Sequence, residues 1–119
     1  MNKTNAVKEK SFNFAVQTVR LGQSLINKKE FVISKQLVRC GTSVGAMIRE
    51  AQHAESKADF IHKMAIAQKE CNESLFWLEL LKETDLIGTE EFVNLNNNAT
   101  ELMKLLTSII KTAKANLEK

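Results

Sequence analysis

The chain has 119 residues, no proline, no tyrosine, four glycines and a formal net charge of +3. That length suits one domain and leaves no room for a second. With no helix breaker and few turn formers, the composition points to long helices, and two cysteines, Cys40 and Cys71, outside a C-x-x-C spacing exclude a disulfide scaffold and suggest reduced thiols.

The first segment, about residues 7–27, carries two apolar stripes. Phe12, Val16, Val19 and Ile26 mark the one expected inside, and Phe14, Leu21 and Leu25 mark a second. Asn27-Lys28-Lys29-Glu30 breaks the pattern. In the second segment, about 32–54, Ile33, Leu37, Cys40, Val44, Ile48 and Ala51 recur at spacings of three and four, as one helix face requires. The third, about 57–86, opens on Ser56 with Asp59 three residues on, which resembles a capping box. Its stripe is Phe60, Met64, Ala67, Cys71, Leu78 and Leu81, with polar Ser74 in register, and Gly88 is the expected stop. The fourth, about 90–117, is expected to be capped by Thr89, with Glu90 and Glu91 at the positive end of its dipole. Phe92, Leu95, Ala99, Leu102, Leu106, Ile109 and Ala113 keep phase across Asn96-Asn97-Asn98, so the helix is read as continuous.

Four amphipathic segments with short connections predict an all-α fold, an antiparallel up-down-up-down four-helix bundle occupying residues 1–119 as a single domain. Two segments carry more apolar surface than a bundle interior needs. Phe14, Leu21 and Leu25 in the first, and Ile66, Phe76, Trp77 and Leu80 in the third, must widen the core or meet another subunit, and a homo-oligomer is expected. The basic start MNKTNAVKEK lacks the apolar region of a signal peptide, and no apolar run nears the ~20 residues that span a bilayer. A soluble cytoplasmic protein without membrane partners is expected.

GTSVG, at residues 41–45, is the one glycine-rich stretch. It lacks the Lys of a phosphate loop and the strand before a dinucleotide turn. Gly41 and Gly45 are four apart on a helix, so they admit close approach by another helix, within the bundle or across a subunit contact. Glu50-x-x-His53 and Asp59-x-x-His62 have the spacing of a di-iron bundle motif. They lie beside the core stripe and near helix ends, so they read as surface residues, and no metal or cofactor is expected. Both cysteines fall on core stripes, where thiols are inert, and no catalytic residue is assigned.

Charge is segregated along the chain. Residues 1–49 hold nine Lys/Arg against two acids, residues 50–101 four against eleven, and residues 102–119 four against one. The folded surface then has a basic and an acidic side, or the helices simply attract one another. Arg20, Lys28, Lys29, Lys35, Arg39 and Arg49 are the candidate contacts to a nucleic acid. No standard nucleic-acid motif is present.

An ordered set of motifs completes the reading: Phe12-Asn13-Phe14-Ala15-Val16; Lys35 through Ala46, then Glu50-Ala51; Ser56 through Phe60; Ala67 through Ser74; and Phe76 through Leu81. Over residues 11–115 the chain resembles the four-helix-bundle proteins encoded in intervening sequences of bacterial 23S ribosomal RNA genes. Met47 departs from the pattern, standing where the family typically has Asn. The resemblance implies an antiparallel bundle assembling as a ring, a pentamer, with no established catalytic activity. It also implies similarity to the accessory variability proteins of diversity-generating retroelements, basic pentameric bundles that bind a reverse transcriptase and nucleic acid. The expected function is therefore a homo-oligomeric, non-enzymatic scaffold for RNA or an RNA-handling protein. A pure protein–protein scaffold for a neighbouring gene product, and a metal-dependent enzyme built on Glu50, His53, Asp59 and His62, are the alternatives.

Overall fold

The computed structural model describes residues 2–117. They form four helices: α1 (Lys3–Asn27), α2 (Val32–Ala51), α3 (Lys57–Glu83) and α4 (Thr89–Leu117), with no strand among the described residues. The helix ends obey local chemistry more than apolar periodicity. α1 begins four residues before its first apolar stripe residue, because the Asn2 side chain accepts the Asn5 N–H at 2.8 Å and caps the helix. It ends where Lys29 turns left-handed at φ 67° and the Glu30 N–H reaches back to the Leu25 carbonyl at 2.9 Å. That is the closing bond of a Schellman turn. The Glu30 carboxylate then accepts the Ile33 N–H and serves the start of α2.

Three expected boundaries are corrected. α2 stops at Ala51, not at residue 54, as the His53 and Ala54 N–H groups bond to Glu50 and Ala51 in single turns. α3 stops at Glu83, not at 86, because Asp85 at φ 59° takes the left-handed position and the Leu86 N–H closes on the Leu81 carbonyl at 2.9 Å. Gly88 is therefore not its terminator. Thr89 does not cap α4 but lies within it, and the Gly88 carbonyl accepts the first helical bond, from Phe92 N–H at 3.0 Å. At α3, Ser56 Oγ accepts the Asp59 N–H at 3.0 Å, while the Asp59 carboxylate accepts from Glu55 N–H, one residue before the usual capping-box partner.

Each helix packs on two neighbours: α1 on α2 and α4, and α3 on the same two. The rod so formed measures 51 × 22 × 22 Å. Specific residue pairs mark three of the seams. On α1 and α2, Gly22 meets Val38, Thr18 meets Gly41 and Ser11 meets Gly45. On α1 and α4, Lys3 bonds Ser108, Lys10 pairs with Glu101 at 2.8 Å, and Gln17 accepts from Asn98 at 2.9 Å. On α3 and α4, Gln68 bonds Thr107 and Cys71 bonds the Ala99 carbonyl. α4 is continuous through its three asparagines.

The core stripes of α2, α3 and α4 follow the expected positions, with Ile33, Phe60, Phe92 and Ala113 half-buried at their ends. α1 reverses expectation. Its buried face is Val7, Ser11, Phe14, Thr18, Leu21, Gly22 and Leu25. Phe12, Val19 and Ile26 are exposed and Val16 is half-buried. Phe14, Leu21 and Leu25 are thus core residues and cannot form a subunit contact. The physical reason lies across the seam. A Cβ added at Gly41 would sit 2.5–2.8 Å from the Thr18 side chain, and one at Gly45 would sit 3.3 Å from the Ser11 carbonyl oxygen. α2 therefore comes too close for bulky α1 side chains there. Ser11 and Thr18 fit, and their hydroxyls donate to their own helix carbonyls at Lys8 and Ala15, so their burial leaves no polar atom unpaired.

Candidate functional site

The seams define two halves of the rod, divided at the level where Thr18 meets Gly41 and Gln17 meets Asn98. One half holds residues 2–17, 42–71 and 99–117, with ten Lys/Arg against six Asp/Glu. The other holds residues 18–41 and 72–98, with six against seven. The fold thus re-sorts the charge. A basic first third and acidic middle along the chain become a basic end and a near-neutral end along the rod.

The candidate nucleic-acid residues do not form one patch. Arg39 is engaged by its own chain. Its guanidinium bonds Glu70 at 3.1 Å and also Glu73, and Glu73 in turn accepts from Trp77 Nε1 at 3.0 Å. Two neighbouring carboxylates offset the desolvation of this half-exposed group and raise its pKa above the ordinary range. The Arg39 charge is thus partly matched within its own chain, while its side chain stays half-exposed. Lys28 donates to the Leu86 carbonyl at 3.0 Å and ties the two turns at one rod end. Lys29 holds the left-handed turn position. Arg20 and Lys35 are exposed on the near-neutral half, and Arg49 is exposed on the basic half.

Around Arg49 the structure supplies something the linear sequence hides. A hollow of about 300 Å³ lies between α1 and α2, lined by Ser11, Phe12, Ala15, Thr42, Gly45 and Ala46. Lys8, Arg49 and Glu50 stand at its rim. A second hollow, bordered by Asn5, Glu9 and Asn13, shares Phe12, Lys8 and Arg49 with the first. Phe12, 56% exposed, is therefore a ridge between two recesses with a cation on either helix beside it. An aromatic interleaves these cations in space.

Apolar exposure is concentrated in the other half. Among the described residues, Val19, Ile26, Phe31, Val32, Phe76 and Val93 are exposed there, against Phe12 and Leu117 in the basic half. Phe76 stands edge-on to Trp77, ring centroids 5.0 Å apart at 74°. Trp77, Leu80 and Ile66 are half-buried, Trp77 packing against the core. Ile26, expected inside, is exposed instead, and Phe31 and Val32 add further apolar exposure at the start of α2.

The groups suited to catalysis do not converge. Cys40 and Cys71 are fully buried. Burial pushes the Cys71 thiol up to about 12, and raises that of Cys40 despite its bond with Ser74. Glu50, His53 and His62 are exposed around the α2–α3 turn, and Asp59 is occupied at the α3 cap. Among the described residues no group of three or more His, Cys, Asp or Glu is placed to hold a metal ion. Nor is any helix long and apolar enough to cross a membrane.

With this geometry established, the chain can be set beside known proteins. The family described as 23S rRNA-intervening sequence protein matches it over residues 3–108. A crystal structure from Bacteroides thetaiotaomicron, described as a protein with unknown function from the S23 ribosomal protein family, is 56% identical, covers 92% of this chain and 99% of its own, and superposes with a TM-score of 0.91. Comparison with curated proteins gave no match.

Proposed function

We propose a function for this chain from the premise that it belongs to the 23S rRNA-intervening sequence protein family. It is a non-enzymatic cytoplasmic scaffold, an up-down-up-down antiparallel bundle that assembles with copies of itself as a pentamer and binds RNA or a ribonucleoprotein partner. The observation that carries this reading is the separation of surfaces along the rod. One half exposes six large apolar side chains that no element of the chain covers, and exposed apolar surface gathered in one region marks an association site. The opposite half carries the excess of cations, which suits contacts to phosphates. Subunits joined through the near-neutral half would display their basic halves together, so weak phosphate contacts add by multivalency. The ring of five follows from the family resemblance, and Phe76, Trp77 and Leu80, with Ile26, Phe31 and Val32, are the side chains assigned to the contact, whereas Ile66 falls on the basic half.

The test is the mass of the purified protein in solution, before and after nuclease treatment, followed by titration with structured RNA across salt concentrations. A homo-oligomer whose RNA affinity falls steeply with salt is expected. A monomer with no affinity for RNA at low salt overturns the reading. A protein scaffold is the second reading, favoured by exposed Phe76 standing edge-on to half-buried Trp77. It is distinguished by a stoichiometric protein partner that survives nuclease treatment.

A further inference from the structure

Phe12 is set apart from the other exposed apolar side chains. Five of the other seven lie at least one helical turn beyond the Thr18–Gly41 level, on the near-neutral half, whereas Phe12 lies among the cations of the basic half. It projects from α1 with more than half of its surface in water. An isolated aromatic of this kind contributes little to the fold by staying there, and the groove beside it is left open because Gly45 and Ala46 offer no bulk.

We propose that this groove is a binding site for an unpaired base of single-stranded RNA, stacked on the ring of Phe12, with the flanking phosphates at Lys8 and Arg49. The proposal rests on the RNA-binding reading above and names the part of the RNA that is recognised. The chemistry follows from three features. The Phe12 side chain borders both recesses, so a base entering either one meets an aromatic ring to stack on, and base–aromatic stacking is indifferent to sequence. The walls, Ala15, Ala46 and the methyl of Thr42, are apolar and suit a flat heterocycle, and the volume of about 300 Å³ lies at the lower end of ligand clefts, ~300–1,000 Å³. Lys8 on α1 and Arg49 on α2 both line the hollow, so each helix offers one cation to the backbone flanking an inserted base. Glu50 on the same rim, together with Asn5 and Asn13 beside the second hollow, offers acceptors and donors for base edges. A duplex, whose bases are already stacked and paired, cannot supply the inserted base.

The experiment uses the full chain in its purified assembly and fluorescence anisotropy with two probes: a short labelled oligouridylate and a labelled blunt-ended RNA duplex of two fully paired strands. Tighter binding of the single strand is expected. Phe12→Ala should weaken it about tenfold with little change in salt dependence, because stacking carries no charge, while Phe12→Trp should preserve it. Arg49→Gln should weaken it and reduce the salt slope by about 0.7, the value for one lost phosphate contact on a single strand. Circular dichroism and solution mass check that each variant folds and assembles as the parent does. If the wild type binds RNA and Phe12→Ala leaves the affinity unchanged, this site is wrong while the RNA-binding reading stands. If Phe12→Ala alters the oligomer mass, Phe12 is a subunit contact and the proposal fails. If neither probe binds the wild type at low salt, both readings fall together.

Discussion

Replacing Gly41 by alanine sets two physical effects against each other. Within an exposed helix the change would stabilise by about 1 kcal/mol through helix propensity alone. Here the added Cβ would lie 2.5 Å from Thr18 Cγ2, 2.7 Å from its Oγ1 and 2.8 Å from its Cβ. Rotating Thr18 cannot relieve the last of these, and its β-branched side chain is further held by the bond from Oγ1 to the Ala15 carbonyl at 2.9 Å. The helices must therefore part, and they are pinned close by again at Gly22, where an added Cβ would overlap Val38. Overpacking of this kind costs ~1–3 kcal/mol. The net expectation is a loss of about 0–2 kcal/mol, toward the upper end because three atoms of Thr18 lie within 2.8 Å, and a fall in Tm of up to roughly 10 °C for a chain of this length. Thermal unfolding followed by circular dichroism at one fixed protein concentration measures it. Gly88→Ala is the control, since nothing lies within 4 Å of a Cβ there. Thr18→Gly combined with Gly41→Ala removes the overlap, so the double variant should be more stable than the sum of the single effects. A Gly41→Ala protein with raised Tm, or additive effects in the cycle, would refute the close-packing argument.

Other consequences are simpler to state. Lys29→Gly and Asp85→Gly should each stabilise by about 0.5–1 kcal/mol, because both residues occupy left-handed turn positions that cost a side chain ~1–2 kcal/mol; an unchanged or lower denaturation midpoint would count against it. Ser56→Ala removes the acceptor of the Asp59 N–H and should cost about 1 kcal/mol in urea unfolding, with Ser56→Asp largely restoring it. Both thiols should resist a thiol reagent in the native protein and react together on unfolding, and prompt labelling of the folded chain would contradict their burial. The Cys71 thiol, raised from 9.0 to about 12 in the folded state, stays protonated there while the unfolded thiol ionises. Its contribution to stability is therefore full below about pH 9 and is lost as pH rises toward 12. Cys71→Ala should flatten that part of the pH–stability curve, and an identical curve for both proteins would reject the assignment.

Three of the four core stripes were legible from the sequence because one face of each segment was plainly more apolar than the rest. Leu37, Cys40, Val44 and Ile48 on α2, Met64, Ala67, Cys71 and Leu78 on α3, and Leu95, Ala99, Leu102 and Leu106 on α4 are all buried. α1 offered two faces of similar apolarity. Phe12-Val16-Val19-Ile26 looked the fuller stripe because Ser11, Thr18 and Gly22, which complete the true one, score as polar or neutral. Hydrophobicity cannot choose between such faces when small size is what the contact demands. The helix ends were missed for a related reason: Asn2, Lys29, Asp85 and Gly88 act through backbone geometry and single hydrogen bonds, which apolar periodicity does not register. The candidate surface fared likewise. Arg39 reads as a free cation until Glu70 and Glu73, some thirty positions on, are brought beside it.

Taken alone, the sequence determined the helical class, the number of helices and the buried faces of the last three, because periodicity and the absence of proline are local properties of the chain. The tertiary structure decided which face of α1 is inside, which cations remain free, and that charge and apolar exposure part along the rod. Those depend on shape and proximity between segments distant in sequence, and the folding back of each helix on the last places the start of α1 beside the end of α2 and so makes Phe12, Gly45 and Arg49 neighbours.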